Sequence, residues 1–152
     1  MSWAPRLSNY KPEDGPELVR MWRAAFEHGV GVKDPHPIEE QLAYLREKVL
    51  PHNILRLAWR DDILAGFIAF NPESVAQLYV RVGLHRHGLG SHLLGLAKAQ
   101  STGSLWLFTF QKNLVARRFY EHHGFTVVSY GFEPMWQLED VKYQWLRDEP
   151  AT

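Results

Sequence analysis

Apolar positions along the chain change period several times, and each change marks an element. Residues 6–9 read as a short first strand. Leu18, Trp22, Ala25 and Phe26 then recur at helical spacing behind a Pro- and acid-rich start at 12–17, which predicts a helix ending near Glu27. Gly29, Gly31, Pro35 and Pro37 make 28–37 a loop. Ile38, Leu42, Leu45 and Val49 form the stripe of a second helix, with Pro51 just beyond its end. Two apolar runs, 53–60 and 63–70, flank a tight turn at Asp61-Asp62. Ala76, Leu78, Val80 and Val82 alternate with Gln77, Tyr79 and Arg81, a period of two. Next come a helix over 88–100 with Leu89, Leu93, Leu94, Leu96 and Ala97 on its apolar face, a strand over 105–110 and a helix over 113–122. Strands over 125–132 and 141–146 close the chain. The order is βααβββαβαββ. Crossovers on both sides of 105–110 argue for an α/β (α+β) fold whose mixed sheet is covered by helices.

Composition narrows the classes. A length of 152 residues with 45% hydrophobic and 13% aromatic content predicts one domain, 1–152, with ample core material. Lys plus Arg and Asp plus Glu are 17 each, so no overall basic charge recruits nucleic acid or anionic lipid. The chain has no cysteine, which excludes disulfides, thiolate metal sites and a cysteine nucleophile. Residues 1–10 lack the basic-then-apolar pattern of a secretory leader, and charges interrupt the best apolar run, so a cytoplasmic protein with no membrane span is expected. His85, His87 and His92 lack the carboxylate pattern of a metal site, and no metal is expected.

The segment His85-Arg86-His87-Gly88-Leu89-Gly90-Ser91 turns a strand into a helix. A helix amino terminus presents unpaired N–H groups and a favourable dipole to an anion, and glycine admits a phosphate without a Cβ in the way. Either this turn holds a phosphate, with Arg86, His87 and Ser91 adding donors, or it merely reverses the chain. A Walker loop is excluded, because no Gly-Lys-Ser/Thr follows. Downstream, Asn113 suits a helix cap, Phe119 and Phe125 suit a core, and Gly124 suits a helix stop.

Taken together, H-R-H-G-L-G and Asn113, Ala116, Phe119, Tyr120, Gly124 and Phe125 resemble two signatures of the GNAT superfamily of acyl-CoA N-acyltransferases, Q/R-x-x-G-x-G/A and N-x-x-A-x-x-F-Y-x-x-x-G-F. The Q/R position falls on His85, with the nearest arginine one residue later at Arg86. The resemblance implies a GNAT-like mixed, mostly antiparallel sheet of about six to seven strands with helices on both faces. It also implies acetyl-CoA as the cofactor and coenzyme A as product. The carried-over cofactor residues are Leu78, Val80 and Val82, whose backbones would serve pantetheine beside a bulged, splayed strand. Arg86, His87, Gly88, Leu89, Gly90 and Ser91 would hold pyrophosphate, with Asn113 and Tyr120 beyond. Tyr120 would give a proton to the leaving thiolate, since a phenol with a pKa of about 10 donates without ionising at neutral pH.

By the same resemblance the acceptor is a small-molecule or peptide amine. Its pocket would be built by the loop after the first helix, with Glu27, His28, Asp34 and His36, and by Glu133, Trp136, Glu139 and Asp140 near the end. His28 and Glu27 are the expected bases, because they directly follow the first helix. Carboxylates beside Trp136 and Tyr130 suit a cation. Tyr143 and Trp145 serve either a homodimer contact or the core. A non-catalytic acyl-CoA binding or sensing domain is the alternative, and a retained Tyr120 speaks against it.

Overall fold

The elements form in the order that the hydrophobic periods predict. The computed structural model describes residues 4–148. Strand β1 (Arg6–Asn9) leads through a single 3₁₀ turn into helix α1 (Gly15–Val30), followed by α2 (Ile38–Tyr44). Strands β2 (Ile54–Arg60), β3 (Ile63–Phe70) and β4 (Val75–Val80) precede helix α3 (Leu89–Gln100). Then come β5 (Ser104–Phe110), α4 (Leu114–His122), β6 (Thr126–Glu133) and β7 (Leu138–Leu146).

Two boundaries differ from expectation in ways that matter for the site. Helix α1 continues one turn past Glu27, because Gly31 at φ 82° supplies the left-handed cap and its N–H bonds to the Glu27 carbonyl at 2.9 Å. His28 therefore sits on a helix, not in a loop. Strand β4 ends at Val80, and Val82 lies in the turn that follows, 41% exposed. Regular α2 stops at Tyr44, yet its predicted stripe still reaches the core through Leu45 and Val49 in a wider π-type turn.

The expected mixed sheet is present in two halves. Strands β1-β2-β3-β4 pair antiparallel in that order, and β5-β7-β6 form a second antiparallel set with β7 inserted between its neighbours. The halves meet at a parallel bridge, Ser74 to Trp106, beside a bond from the Trp106 N–H to the Glu73 carbonyl at 3.0 Å. Asn71 fastens this junction. Its Oδ1 accepts the N–H groups of Glu73 and Ser74 at 2.9 and 3.0 Å, and its Nδ2 donates to Ser74 Oγ at 2.8 Å. Beyond the junction β4 and β5 part, which leaves β4 as an edge strand facing a gap. Opposite Phe70 and Ala69 stand Val75 and Gln77, so Ala76 is an extra residue, a bulge that bends β4.

Each face of the first half buries its own helices. Leu18, Val19, Trp22, Leu45 and Val49 pack on Leu55, Leu57, Leu64 and Phe67. On the other face Leu89, Leu93, Leu94 and Ala97 of α3 meet Ile68, Phe70, Leu105, Leu107, Phe125 and Tyr143, so this second core spans both halves. Full burial of such a side chain contributes about 1.5–3 kcal/mol each. Tyr143 belongs to this core: it is fully buried, donates to Glu121 and accepts from Arg117 Nε at 3.0 Å. Trp145 packs partly buried against the same cluster. Among the described residues no helix is long and apolar enough to cross a membrane.

Candidate functional site

The gap between β4 and β5 is a cavity of about 1070 Å³, lined by Val75 to Val80 on one side and Leu107 to Phe110 on the other. Helix α1 runs along it from the start of α3, where His28 meets His85, to the β6–β7 connection, where Phe26 meets Trp136, and α2 borders that far end. Because β4 is an edge strand here, its outward N–H and C=O groups face the cavity with no partner strand.

At the α3 end, Arg86 and Gly88 adopt left-handed φ values of 69° and 81°. That conformation costs a non-glycine residue about 1–2 kcal/mol, and Arg86 is held in it beside the helix start. The first intrahelical bond runs from the His92 N–H to the Gly88 carbonyl at 3.0 Å, and no side chain caps the helix. The N–H groups of Leu89, Gly90 and Ser91 are thus left for an anion. Arg86, Gly88, Leu89, Gly90 and Ser91 line the cavity, whereas His87 and Val82 do not. The two glycines do different work. Gly88 is required by its φ, while a Cβ on Gly90 would lie 3.1 Å from the Phe119 ring, so Gly90 lets α3 pack on α4. Ser91 Oγ lies 2.9 Å from His123 Nε2, whose imidazole is pushed below its ordinary pKa by burial, then Lys98 and His122. His85 is likewise pushed down, by burial and then by His28, with which it stacks at 6.5 Å.

In the middle of the cavity stand Asn113 and Tyr120. Asn113 Oδ1 accepts the Ala116 N–H at 3.1 Å and caps α4. Gly29 of α1 abuts it so closely that a Cβ there would fall 2.7 Å from Asn113 Nδ2. Tyr120 is 7% exposed, lines the cavity, and its hydroxyl makes no hydrogen bond among the described residues. Burial pushes this phenol well above its usual range, and the neighbouring Tyr79 adds to the shift. Tyr79 is itself pushed up to about 12 by burial, against a bond from Trp22.

The far end combines aromatic rings with acids: Trp22, Phe26, Tyr44, Phe110 and Trp136 stand with Asp34, His36, Glu40, Glu133 and Asp140. Burial and then Glu133 hold the Asp140 carboxyl above the usual range, a repulsion that a cation would relieve. His28 lines the cavity beside His85. Glu27 does not line it, because its carboxylate accepts the Asp34 N–H at 2.8 Å. Glu139 is also absent from the wall, and Tyr130 is 62% exposed outside it under Arg117. Sequence reasoning missed Tyr79 and Trp22. Tyr79 counted only as the polar member of an alternating strand, although a tyrosine opposite Leu78 and Val80 on a two-sided strand points at the second layer of helices. Among the described residues no cluster of three His, Cys, Asp or Glu could hold a metal.

Comparison with known proteins agrees with this fold. The sequence model of the acetyltransferase (GNAT) family matches residues 16–125. A search of curated proteins returns no match. Among solved structures, apo YjaB from Escherichia coli is 19% identical over 96% of this chain and 100% of its own, with a TM-score of 0.78. The PaiA N-acetyltransferase of Thermoplasma acidophilum, in complex with coenzyme A, is 19% identical over 95% and 99%, with a TM-score of 0.73. For yncA from Salmonella typhimurium, solved with its cofactor acetyl-CoA, the values are 16%, 99%, 98% and 0.71. These identities establish a shared fold. With the family match covering most of its length, the chain belongs to the acetyltransferase (GNAT) family.

Proposed function

We propose that this protein moves an acetyl group from acetyl-CoA to a primary amine of a small molecule or a peptide amino terminus. The observation that carries this is Tyr120: a buried phenol whose hydroxyl bonds to no described residue, opening into a cavity walled by an unpaired strand edge. A binding domain alone has no use for such a donor. PaiA and yncA, which share the fold, were solved with coenzyme A and acetyl-CoA.

Acetyl-CoA supplies the acetyl group as a thioester. The residues present fit it in three places. Backbone groups of Leu78 and Val80 on the free edge of β4 match the amides of a pantetheine arm. The N–H groups of Leu89, Gly90 and Ser91, with the Arg86 guanidinium nearby, match a pyrophosphate. Tyr120 holds its proton at neutral pH and releases it to the departing sulfur.

The amine must arrive neutral. If its pKa is about 10, losing its proton at pH 7 costs roughly 4 kcal/mol. Aromatic rings and the Glu133–Asp140 pair suit an amine with an apolar body. No other region among the described residues brings these features together.

Calorimetric titration with acetyl-CoA, with dephospho-CoA and a nucleotide as controls, tests the first half. Micromolar binding is the expected result. Thiol release across a panel of primary amines tests the second. Binding without turnover for every amine would leave a binding or sensing domain, and no binding would reduce the family match to fold alone.

A further inference from the structure

We propose that His36, held by Asp34, is the base that takes the proton from the incoming ammonium. This inference rests on the acetyl-transfer reading above and assigns the step that reading leaves open.

The loop between α1 and α2 is folded around one carboxylate. The Asp34 side chain is 3% exposed, and its Oδ1 lies 2.8 Å from both the His36 N–H and the His36 ring Nδ1. Its Oδ2 faces Arg23 Nη2 at 3.5 Å. Arg23 also donates to the His36 carbonyl, and its Nε donates to Gln41 Oε1 at 3.1 Å. The Glu27 carboxylate closes the loop by accepting the Asp34 N–H. A carboxylate only accepts, so Nδ1 carries the ring proton and the lone pair is left on Nε2. That nitrogen makes no hydrogen bond to any described residue. The ring stands edge-on to Trp136 at 4.8 Å, and both residues line the aromatic, acidic end of the cavity.

The other candidates are occupied elsewhere. Glu27 is spent on the Asp34 backbone, and His28 stacks on His85 beside the turn that opens α3. His36 is the imidazole at the end where an amine would sit. The charged groups around it are Asp34 on its own loop, Arg23 from α1 behind Asp34, Glu40 from α2 and Glu133, whose Oε2 accepts the Trp136 N–H at 2.7 Å. Asp34 keeps its hydrogen bond to Nδ1–H while Nε2 takes the proton.

The protons balance. The ammonium gives one to His36 Nε2, directly or through one water, and His36 returns it to solvent after turnover. The freed amine attacks the thioester carbonyl, a C–N bond forms and the C–S bond breaks. Tyr120 protonates the sulfur and recovers the extra proton from the positively charged nitrogen that has attacked, which leaves the neutral amide.

The test measures thiol release by the full chain with its best amine from pH 6 to 10. At pH 7, His36→Gln should lower kcat/KM for the amine about 100-fold, the usual worth of a general base, with KM for acetyl-CoA within twofold of wild type. The deficit should shrink as pH nears the amine's own pKa of about 10, because solvent then supplies the neutral amine. Asp34→Asn should give a smaller loss with the same pH trend. Should His36→Gln melt early, His36→Asn, whose amide can reach Asp34 in place of Nδ1–H, carries the same comparison. An undiminished rate, or a deficit equal at every pH, overturns the assignment while leaving acetyl transfer intact. A wild-type protein that releases no thiol with any amine sinks both readings together.

Discussion

Replacing Tyr120 by phenylalanine removes one oxygen and leaves the packing in place. The ring lies edge-on to Phe119 at 5.3 Å and to Phe125 at 5.6 Å, and phenylalanine keeps both contacts. The hydroxyl has no hydrogen bond to a described residue to lose and opens into the cavity, so its removal leaves no buried group unpaired. The melting temperature should therefore hold or rise. Catalysis should move the other way. A positioned proton donor is worth about 10²–10⁴ in rate, which is roughly 2.7–5.5 kcal/mol of barrier. Steady-state thiol release should show kcat reduced by that factor, and calorimetry should show acetyl-CoA affinity within about twofold, since the sulfur needs its proton only as it departs. The pH dependence adds a second check. Because burial holds the wild-type phenol above its usual range, Tyr120 should impose no alkaline limb on kcat up to about pH 10. An unchanged kcat in the variant would take Tyr120 out of the chemistry. A loss of kcat/KM matched by an equal loss of acetyl-CoA affinity would make it a binding residue instead.

Gly88→Ala should weaken acetyl-CoA about tenfold, because alanine at φ 81° costs about 1–2 kcal/mol and shifts the turn that opens α3; calorimetry reads this directly. Asn113→Ala should cost about 1 kcal/mol from the lost cap of α4, seen as an earlier urea midpoint with the slope unchanged. Alkaline stability should fall through Tyr79. Its folded pKa of about 12 lies above the unfolded value near 10, so its contribution is full below pH 10 and is lost as pH rises to 12, on the order of 3 kcal/mol in all. Urea titrations from pH 9 to 12 should show that decline, and Tyr79→Phe should flatten it.

The periods of two and 3.6 gave away the strands and helices because each element here buries one continuous face. Leu89, Leu93, Leu94 and Ala97 read as a helix for the same reason that they pack as one. The gap between β4 and β5 left no such trace. It opens where the bulge at Ala76 bends β4 and where β5 pairs instead with β7, whose residues lie thirty or more positions from their partners in sequence. Asn71, a polar residue just past β3 with no periodic signal of its own, fastens the strand bridge between the halves. Val82 was placed with Leu78 and Val80 because alternation continued past the point where the strand stops.

The residues proposed for chemistry show a sharper contrast. Tyr120 was found because it belongs to a string of residues with fixed spacing, Asn113 to Phe125, on one helix and its stop. The dyad of His36 and Asp34 has no such string. Asp-Pro-His is a short loop tripeptide, and its carboxylate orients the imidazole only because Arg23 and Glu27 of α1 hold Asp34 in place. The proposed acid thus belongs to the second half of the sheet and the proposed base to the helices of the first. Their separation is set by the Asn71 junction at one end of the gap and by Gly29 against Asn113 along it. A glycine read as a loop breaker and an asparagine read as a helix cap together hold the two groups across one cavity. That pairing is a property of tertiary contact, and no local pattern in the chain encodes it.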